Sequence, residues 1–282
     1  MTDAVTLIGT GAIGTAVAHR LLDAGREVVV WNRTPARLTT LVAAGARPAT
    51  SVAEALSASD LVLLTLTDYQ AVDAVLAGLP PGQDGRTIVT LTTGTPDEAL
   101  RTAQLVSGAG ARYLDAGVQA APETIGTDKA VILYGGDRSA YDRHLPTLRL
   151  LSPPRFAGES PTAAALWDLT LFGLWYDAQL GLLRALAAVQ AAGIDVTEFA
   201  ASAHTQLGHV LSALPDTVTE MVKADFPRGP ADLTEHLTVL RHLITLRSTS
   251  PLGDGGLPAV AARIEALTTA GRASEGLTAV IS

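Results

Sequence analysis

The sequence predicts a mixed α/β chain: a doubly wound sheet in the N-terminal half, one long helix, then an all-α domain. Three observations carry this prediction. Short β-branched runs alternate with helical segments through about residue 150. Across 161–193 only Gly173 and Gly181 interrupt an apolar pattern, with no turn signal. Beyond that stretch the chain reads as helices separated by proline and glycine breaks.

The elements follow in order. "AVTLIG" (4–9) reads as a short buried strand and 12–24 as a helix ending at Gly25. "EVVVWN" (27–32) is the second strand, "PARLTTLVAAG" a helix, and "LVLLTL" (61–66) the third strand. "TIVTLT" (87–92), "ARYLDAGV" (111–118) and "KAVILYGG" (129–136) continue the series. Apolar strands separated by helices imply a parallel sheet covered on both faces. The stretch 161–193 predicts one helix of about 30 residues, on the order of 45 Å long. Helices are expected at 195–213, 214–224, 229–247 and 257–270, broken by Pro227, Pro230, Pro251 and the "GDGG" at 253–256. The expected domains are therefore 1–158, an interdomain helix at 159–192, and a helical domain at 193–282. The long helix is apolar nearly all round, and such a helix is normally buried. A homodimer with intertwined, domain-swapped C-terminal domains would bury it.

Composition excludes several function classes. The chain has 282 residues, of which 48% are apolar, so it can build a substantial core. It has no cysteine, hence no disulfides, thiolate metal sites or Cys nucleophile. A net charge of −8 argues against nucleic-acid or anionic-membrane binding. "MTDAVTLIGTG" lacks a basic leader, so no signal peptide is expected. Between Asp168 and Asp177 the long helix has only the charge-free run 169–176, well short of the roughly 20 residues of a membrane span. A soluble cytoplasmic protein is expected. The histidines show no H-E-x-x-H spacing, and no metal is expected.

"LIGTGAIGTAVA" supplies Gly9, Gly11 and Gly14 as G-x-G-x-x-G, with Ala12 and Ile13 between the last two. It ends a strand and opens a helix, the context that a Rossmann dinucleotide site needs. Gly9 allows the tight turn, Gly11 lets a pyrophosphate approach the helix N-terminus, and Gly14 lets helix and strand pack closely. An NAD site would place an acid at the end of the second strand to hold the ribose hydroxyl. This chain has "WNRTPAR" there: Arg33 is a planar fork suited to a 2′-phosphate, Asn32 and Thr34 can add hydrogen bonds, and Arg37 a second charge. NADPH is the expected cofactor. Leu66 and Thr67 end the third strand, and Thr92, Thr93 and Thr95 follow the fourth. All fall at the carboxyl edge of the sheet, where ligands sit. The threonines can contact nicotinamide or substrate, or simply form turns.

The cofactor implies hydride transfer, with substrate expected between the domains against the long helix. At 100° per residue, Trp175 and Gln179 return to within about 20° of Asp168. Tyr176 lies about 80° round and roughly 12 Å along, while Asp177 lies about 180° away. Asp168, Trp175, Tyr176 and Gln179 therefore border one side. Asp177 is expected to be structural, through solvent, Arg184 or a partner chain.

The chain resembles the NADPH-dependent imine reductases and reductive aminases, a branch of the β-hydroxyacid dehydrogenase superfamily. The resemblance rests on "GTGAIGTAVA", "WNRTPAR", "TLTTGTP" (90–96), "YLDAGVQAAPETIG" (113–126), "LYGG" (133–136), "LWDLTLFGLWY" (166–176) and "LTEHLTVLRHLI" (233–244), almost the whole chain. β-Hydroxyacid dehydrogenases carry a catalytic lysine on the long helix. Here the only lysines are Lys129 and Lys223, and Asp168 stands at the corresponding place. The resemblance implies that Asp168 and Tyr176, eight residues later, line the substrate amine. It departs from the reductive aminases in having threonines where they carry an Asn near "TLTTGTP", and in an abbreviated "TSPLGDGGLP".

A carboxylate suits this chemistry, because an iminium is cationic and a charge-assisted contact to it is worth about 1.5–3 kcal/mol. Asp168 would hold a protonated C=N or donate the proton; as a bland alternative it is a paired core carboxylate. Trp167, Phe172 and Trp175 are expected to shape an apolar pocket, with Gln119 also lining it, and Tyr176 either binds the nitrogen or is a core aromatic. His236 and His242 are candidates to reach a partner's pocket, or are ordinary helix histidines. The expected substrate is a small-molecule imine, or an amine with a carbonyl compound. The competing functions are a β-hydroxyacid-type NADP dehydrogenase and a non-catalytic NADPH-binding sensor.

Overall fold

A computed structural model describes residues 4–282; the first three residues of the expected 1–158 domain lie outside it. In chain order the first half comprises β1 (Val5–Ile8), α1 (Ala12–Asp23), β2 (Val28–Trp31), α2 (Thr39–Ala43), β3 (Arg47–Pro48), α3 (Val52–Ser57), β4 (Leu61–Leu64), α4 (Tyr69–Leu76), β5 (Thr87–Thr90), α5 (Pro96–Gly108), β6 (Arg112–Gln119), β7 (Val131–Gly136), α6 (Arg138–Leu148) and β8 (Phe156–Gly158). The helices α7 (Ala163–Ala191), α8 (Val196–Ser212), α9 (Leu214–Lys223), α10 (Leu233–Arg247) and α11 (Leu257–Thr269) complete the chain. Two compact units result, one extending to Gly173 and the other Leu174–Ser282.

The first unit holds one sheet in the order β3-β2-β1-β4-β5-β6-β7-β8. Its central strands are β-branched and leucine-rich and are buried on both faces. Alternation along them feeds two cores. Val5, Leu7, Val28 and Val30 face Val17 and Leu21 of α1 and Leu41 of α2. Ile8, Val29, Val62 and Leu64 face α3, α4 and α5 through Leu56, Val72, Val75 and Val106.

The all-parallel expectation fails at β7, which pairs antiparallel to β6, with Leu114 opposite Gly136 and Gln119 opposite Val131. A parallel strand needs a crossover long enough to return the chain to its starting edge. The link 120–130 holds only the 3-10 turn Pro122–Thr124. The expected helix "PARLTTLVAAG" is also divided, into a 3-10 turn Pro35–Leu38 followed by α2. The helix expected from 229 begins only at Leu233, because Asp232 and Glu235 form a capping box there.

Helix α7 starts on the α3–α5 face of the sheet, where glycines make room. A Cβ at Gly135 would lie 2.9 Å from the Ala164 backbone nitrogen. One at Gly117 would lie 2.6 Å from the Asp168 Cβ. Ala164, Ala165 and Asp168 are the buried residues of this helix. The second unit has its own small core, in which Leu233 and Leu237 of α10 pack with Ile264 and Leu267 of α11. Neither α8 nor α9 buries a residue within the chain. Among the described residues no helix is long and apolar enough to cross a membrane.

Candidate dinucleotide cleft and buried carboxylate

A cleft of about 900 Å³ opens at the carboxyl ends of β1, β2, β4 and β5. Gly9, Gly11, Ile13, Gly14, Asn32, Arg33, Thr34, Arg37, Leu66, Thr67, Thr92 and Thr93 all line it. Ala12 opens α1 beside them and is exposed, without lining the cleft. Thr10, Trp31, Thr65, Asp68 and Val118 line it as well. These additional residues carry no fingerprint of their own, yet all neighbour strand ends that could be located in the sequence.

The glycines divide by role. Gly9 has φ +98, a conformation natural to glycine, and any Cβ there would strike the Thr65 carbonyl. At Gly14 a Cβ would strike the Gly9 carbonyl and the Thr65 hydroxyl, which itself donates to that carbonyl at 2.6 Å. Nothing lies within 4 Å of the corresponding position at Gly11. Gly11 is also the N-cap of α1 and makes no side-chain cap, whereas Ser51, Asp68 and Asp137 cap α3, α4 and α6. The first amides of α1 are thus left available for an anion. Beside them the buried Thr10 hydroxyl has no hydrogen-bond partner. An open helix end, an orphaned hydroxyl and two exposed arginines at the end of β2 fit a phosphorylated dinucleotide.

Several of the expected contact residues also make internal hydrogen bonds. Asn32 accepts from the Thr10 amide at 3.3 Å and donates to the Thr34 carbonyl at 3.1 Å, tying the ends of β1 and β2 together. Thr92 is buried and exchanges hydrogen bonds with the Leu66 backbone, 3.3 Å to its amide and 3.2 Å to its carbonyl. Thr95 is a turn former: with Glu98 it makes the capping box of α5. Thr93 alone of the three points its hydroxyl at another candidate, Asp168.

Asp168 is 3% exposed. It lies on Gly117, receives Gln119 Nε2 on Oδ1 at 2.6 Å, and Thr93 Oγ1 on Oδ2 at 3.3 Å. Burial raises its carboxyl above the usual carboxylate range, and the two hydrogen bonds pull the other way. Among the described residues no cation pairs with it. Its partners are thus two neutral hydrogen-bond donors rather than an ion.

Deeper on the same face of β6, Asp115 is 2% exposed. Its Oδ1 accepts from Tyr69 at 2.7 Å, Thr90 at 2.8 Å and Tyr113 at 3.4 Å. Burial pushes it up to about 6. A Cβ at Gly94 would strike the Tyr69 ring, so this cage lies directly behind the Thr92–Thr93 loop. Three hydroxyls and one acid scattered over three elements left no sequence signal.

The remaining candidates lie farther along α7 or in the second unit. Trp167 is exposed and Phe172 half-buried. Tyr176 is 56% exposed and packs edge-on against Trp175, ring centroids 5.0 Å apart; Gln179 is exposed. Tyr176 is thus not a core aromatic within this chain. His236 is half-buried and His242 exposed on α10. Arg184 donates to the Leu252 carbonyl at 3.0 Å rather than to Asp177, which is exposed.

Comparison with known proteins covers the whole chain. Residues 4–158 match the family described as the NAD binding domain of 6-phosphogluconate dehydrogenase. Residues 160–282 match that described as the C-terminal domain of NADPH-dependent reductive aminase-like proteins. An NADPH-dependent reductive aminase of Aspergillus oryzae is 31% identical over 286 residues, spanning 100% of this chain and 97% of the relative. A reductive aminase from Aspergillus terreus, solved with NADPH and ethyl-5-oxohexanoate, superposes with a TM-score of 0.86 at 32% identity, covering 100% and 99% of the two chains. An imine reductase from Aspergillus terreus, solved with NADPH4 and dibenz[c,e]azepine, gives 0.90 at 32% identity over the same shares.

Proposed function

The chain belongs to the NADPH-dependent reductive aminase and imine reductase family of the β-hydroxyacid dehydrogenase superfamily, and we propose on that premise which of its residues do the work. It is an oxidoreductase that reduces C=N bonds with NADPH. The open N-terminus of α1 and the Thr10 hydroxyl hold the pyrophosphate, and Arg33 with Arg37 holds the 2′-phosphate. When bound, NADPH supplies the hydride.

Asp168 binds the substrate nitrogen. One observation carries this: a carboxylate 3% exposed, gripped by two neutral donors, with no cation beside it among the described residues. A buried charge without a partner is costly, and an iminium supplies the missing cation. The pair neutralises at the moment the substrate enters, and the carboxylate favours the protonated, electrophilic form of C=N over the free imine. Tyr176, further along α7, is the second residue we assign to the substrate amine. A small cyclic imine is the simplest substrate.

Asp168→Asn tests the assignment, because it keeps the shape and removes the charge. With a cyclic imine and NADPH, kcat/KM should fall roughly 10- to 150-fold, the value of one charge-assisted hydrogen bond, while NADPH binding is retained. Turnover equal to that of the parent enzyme would refute the role of Asp168.

We also propose an intertwined homodimer. Supporting it, Val210, Leu211, Leu214, Val218, Met221 and Val222 of α8 and α9 are all exposed in the single chain. Contiguous apolar surface of this kind marks an association face.

A further inference from the structure

On β6, Tyr113, Asp115, Gly117 and Gln119 alternate onto one face, and the start of α7 lies across it. The side chain of Asp168 rests on Gly117, so it cannot retreat toward the sheet. A Cβ there would be 2.9 Å from its Cγ and 3.0 Å from its Oδ1. Gln119, the next residue on that face, meets Oδ1 from the side at 2.6 Å. Thr93, from the β5–α5 loop, reaches Oδ2 at 3.3 Å. The amide nitrogen can only donate, and both carboxylate oxygens are used as acceptors.

We propose that Gln119 is a positioning residue rather than a wall of the substrate pocket: its amide N–H holds the Asp168 side chain in one orientation and in its charged form, ready for a cationic nitrogen. The proposal rests on the assignment of Asp168 to the substrate nitrogen. Gln119 acts through Asp168 and touches no reacting atom.

Among the groups around Asp168, Gln119 is the main one that opposes burial. From β6 the other titratable groups on this face are Tyr113 and Asp115, and Asp115 is enclosed by Tyr69, Thr90 and Tyr113. The β5–α5 loop presents the uncharged Thr93. On α7 the other charged residues are Asp177 and Arg184, more than two turns away. Against burial, which favours the neutral acid, the opposing groups are Gln119 first and Thr93 second.

The test is the acid limb of kcat/KM for an N-methylated cyclic iminium, whose charge does not titrate, with saturating NADPH. Activity needs ionised Asp168 and falls below its pKa. Gln119→Met keeps the length and loses the donor, so the limb should move up by roughly one to two pH units. Gln119→Glu adds a second carboxylate at hydrogen-bond distance and should move the limb further, as like charges share a proton. Asp115 titrates nearby but is present in parent and variants alike, so the difference between them reports Gln119. An unchanged acid limb in both variants, with only KM altered, overturns the proposal and makes Gln119 a substrate contact. A lower kcat without a shifted limb also overturns it. Should Gln119→Met fail to bind NADPH, Gln119→Glu alone decides on the same criterion. Asp168→Asn separates the two ideas. If it is inactive while the Gln119 limbs do not move, only this inference fails; if it is fully active, the assignment of Asp168 fails.

Discussion

Asp115→Asn should reverse an unusual feature of this protein's stability. Asp115 is 2% exposed, and burial raises its carboxyl from 3.8 to about 6 despite the hydroxyls of Tyr69 and Thr90 that favour the charged form. The folded chain therefore holds this proton more tightly than the unfolded chain does. Its contribution is fully present below pH 4 and is lost as pH rises through 6, opposite to that of an ion-paired carboxylate. About two pH units at 1.36 kcal/mol each give roughly 3 kcal/mol across that window. Asn keeps an oxygen for Tyr69 and Thr90 and carries no charge. The stability of Asp115→Asn relative to the parent should thus rise by up to about 3 kcal/mol between pH 4 and pH 7. Urea unfolding at fixed protein concentration, repeated across that range, measures the difference. Parallel curves for variant and parent would refute the reasoning, because they would mean that Asp115 titrates alike in both states.

Two further predictions concern the cofactor and the assembly. Arg33→Ala removes a guanidinium from the proposed 2′-phosphate site, so calorimetry should show NADPH binding weakened roughly 10- to 150-fold and NADH binding unchanged; equal losses for both cofactors would exclude that role. Leu211→Asp places a charge on an α8 side chain that is exposed in the single chain, so the variant should sediment as a folded monomer where the parent sediments as a dimer; a monomeric parent at micromolar concentration would sink the dimer.

The dinucleotide half of the site was legible because its chemistry is local. A strand, three glycines and a helix lie within residues 5–23, and Arg33 follows at the next strand end. The proposed phosphate contacts come from the backbone itself, so spacing in sequence is spacing in space. The buried polar groups were not legible for the converse reason. Tyr69, Thr90, Tyr113 and Asp115 meet only because β5 and β6 are neighbours and α4 packs over them. Gln119 was expected in the substrate pocket, yet its amide is directed at Asp168, 49 residues away. The antiparallel turn of β7 was missed because apolar periodicity carries no direction; the length of the connection did.

The helical arithmetic on α7 shows where such reasoning stops. An angle around the axis says which residues share a side, and not whether anything lies against that side. Trp175 falls within about 20° of Asp168, yet Asp168 is 3% exposed and Trp175 57%. The difference is made by residues on other elements: Gly117 and Gly135 let the first turns of α7 sink onto β6 and β7. With a side chain at Gly117, Asp168 could not occupy its place, and Gln119 would have nothing to hold. The glycines of "LDAG" and "LYGG", which in the sequence served only as marks of resemblance, are what turn a carboxylate on an apolar helix into a buried, oriented one. The charge that a cationic substrate would meet thus depends on two positions that have no side chain at all.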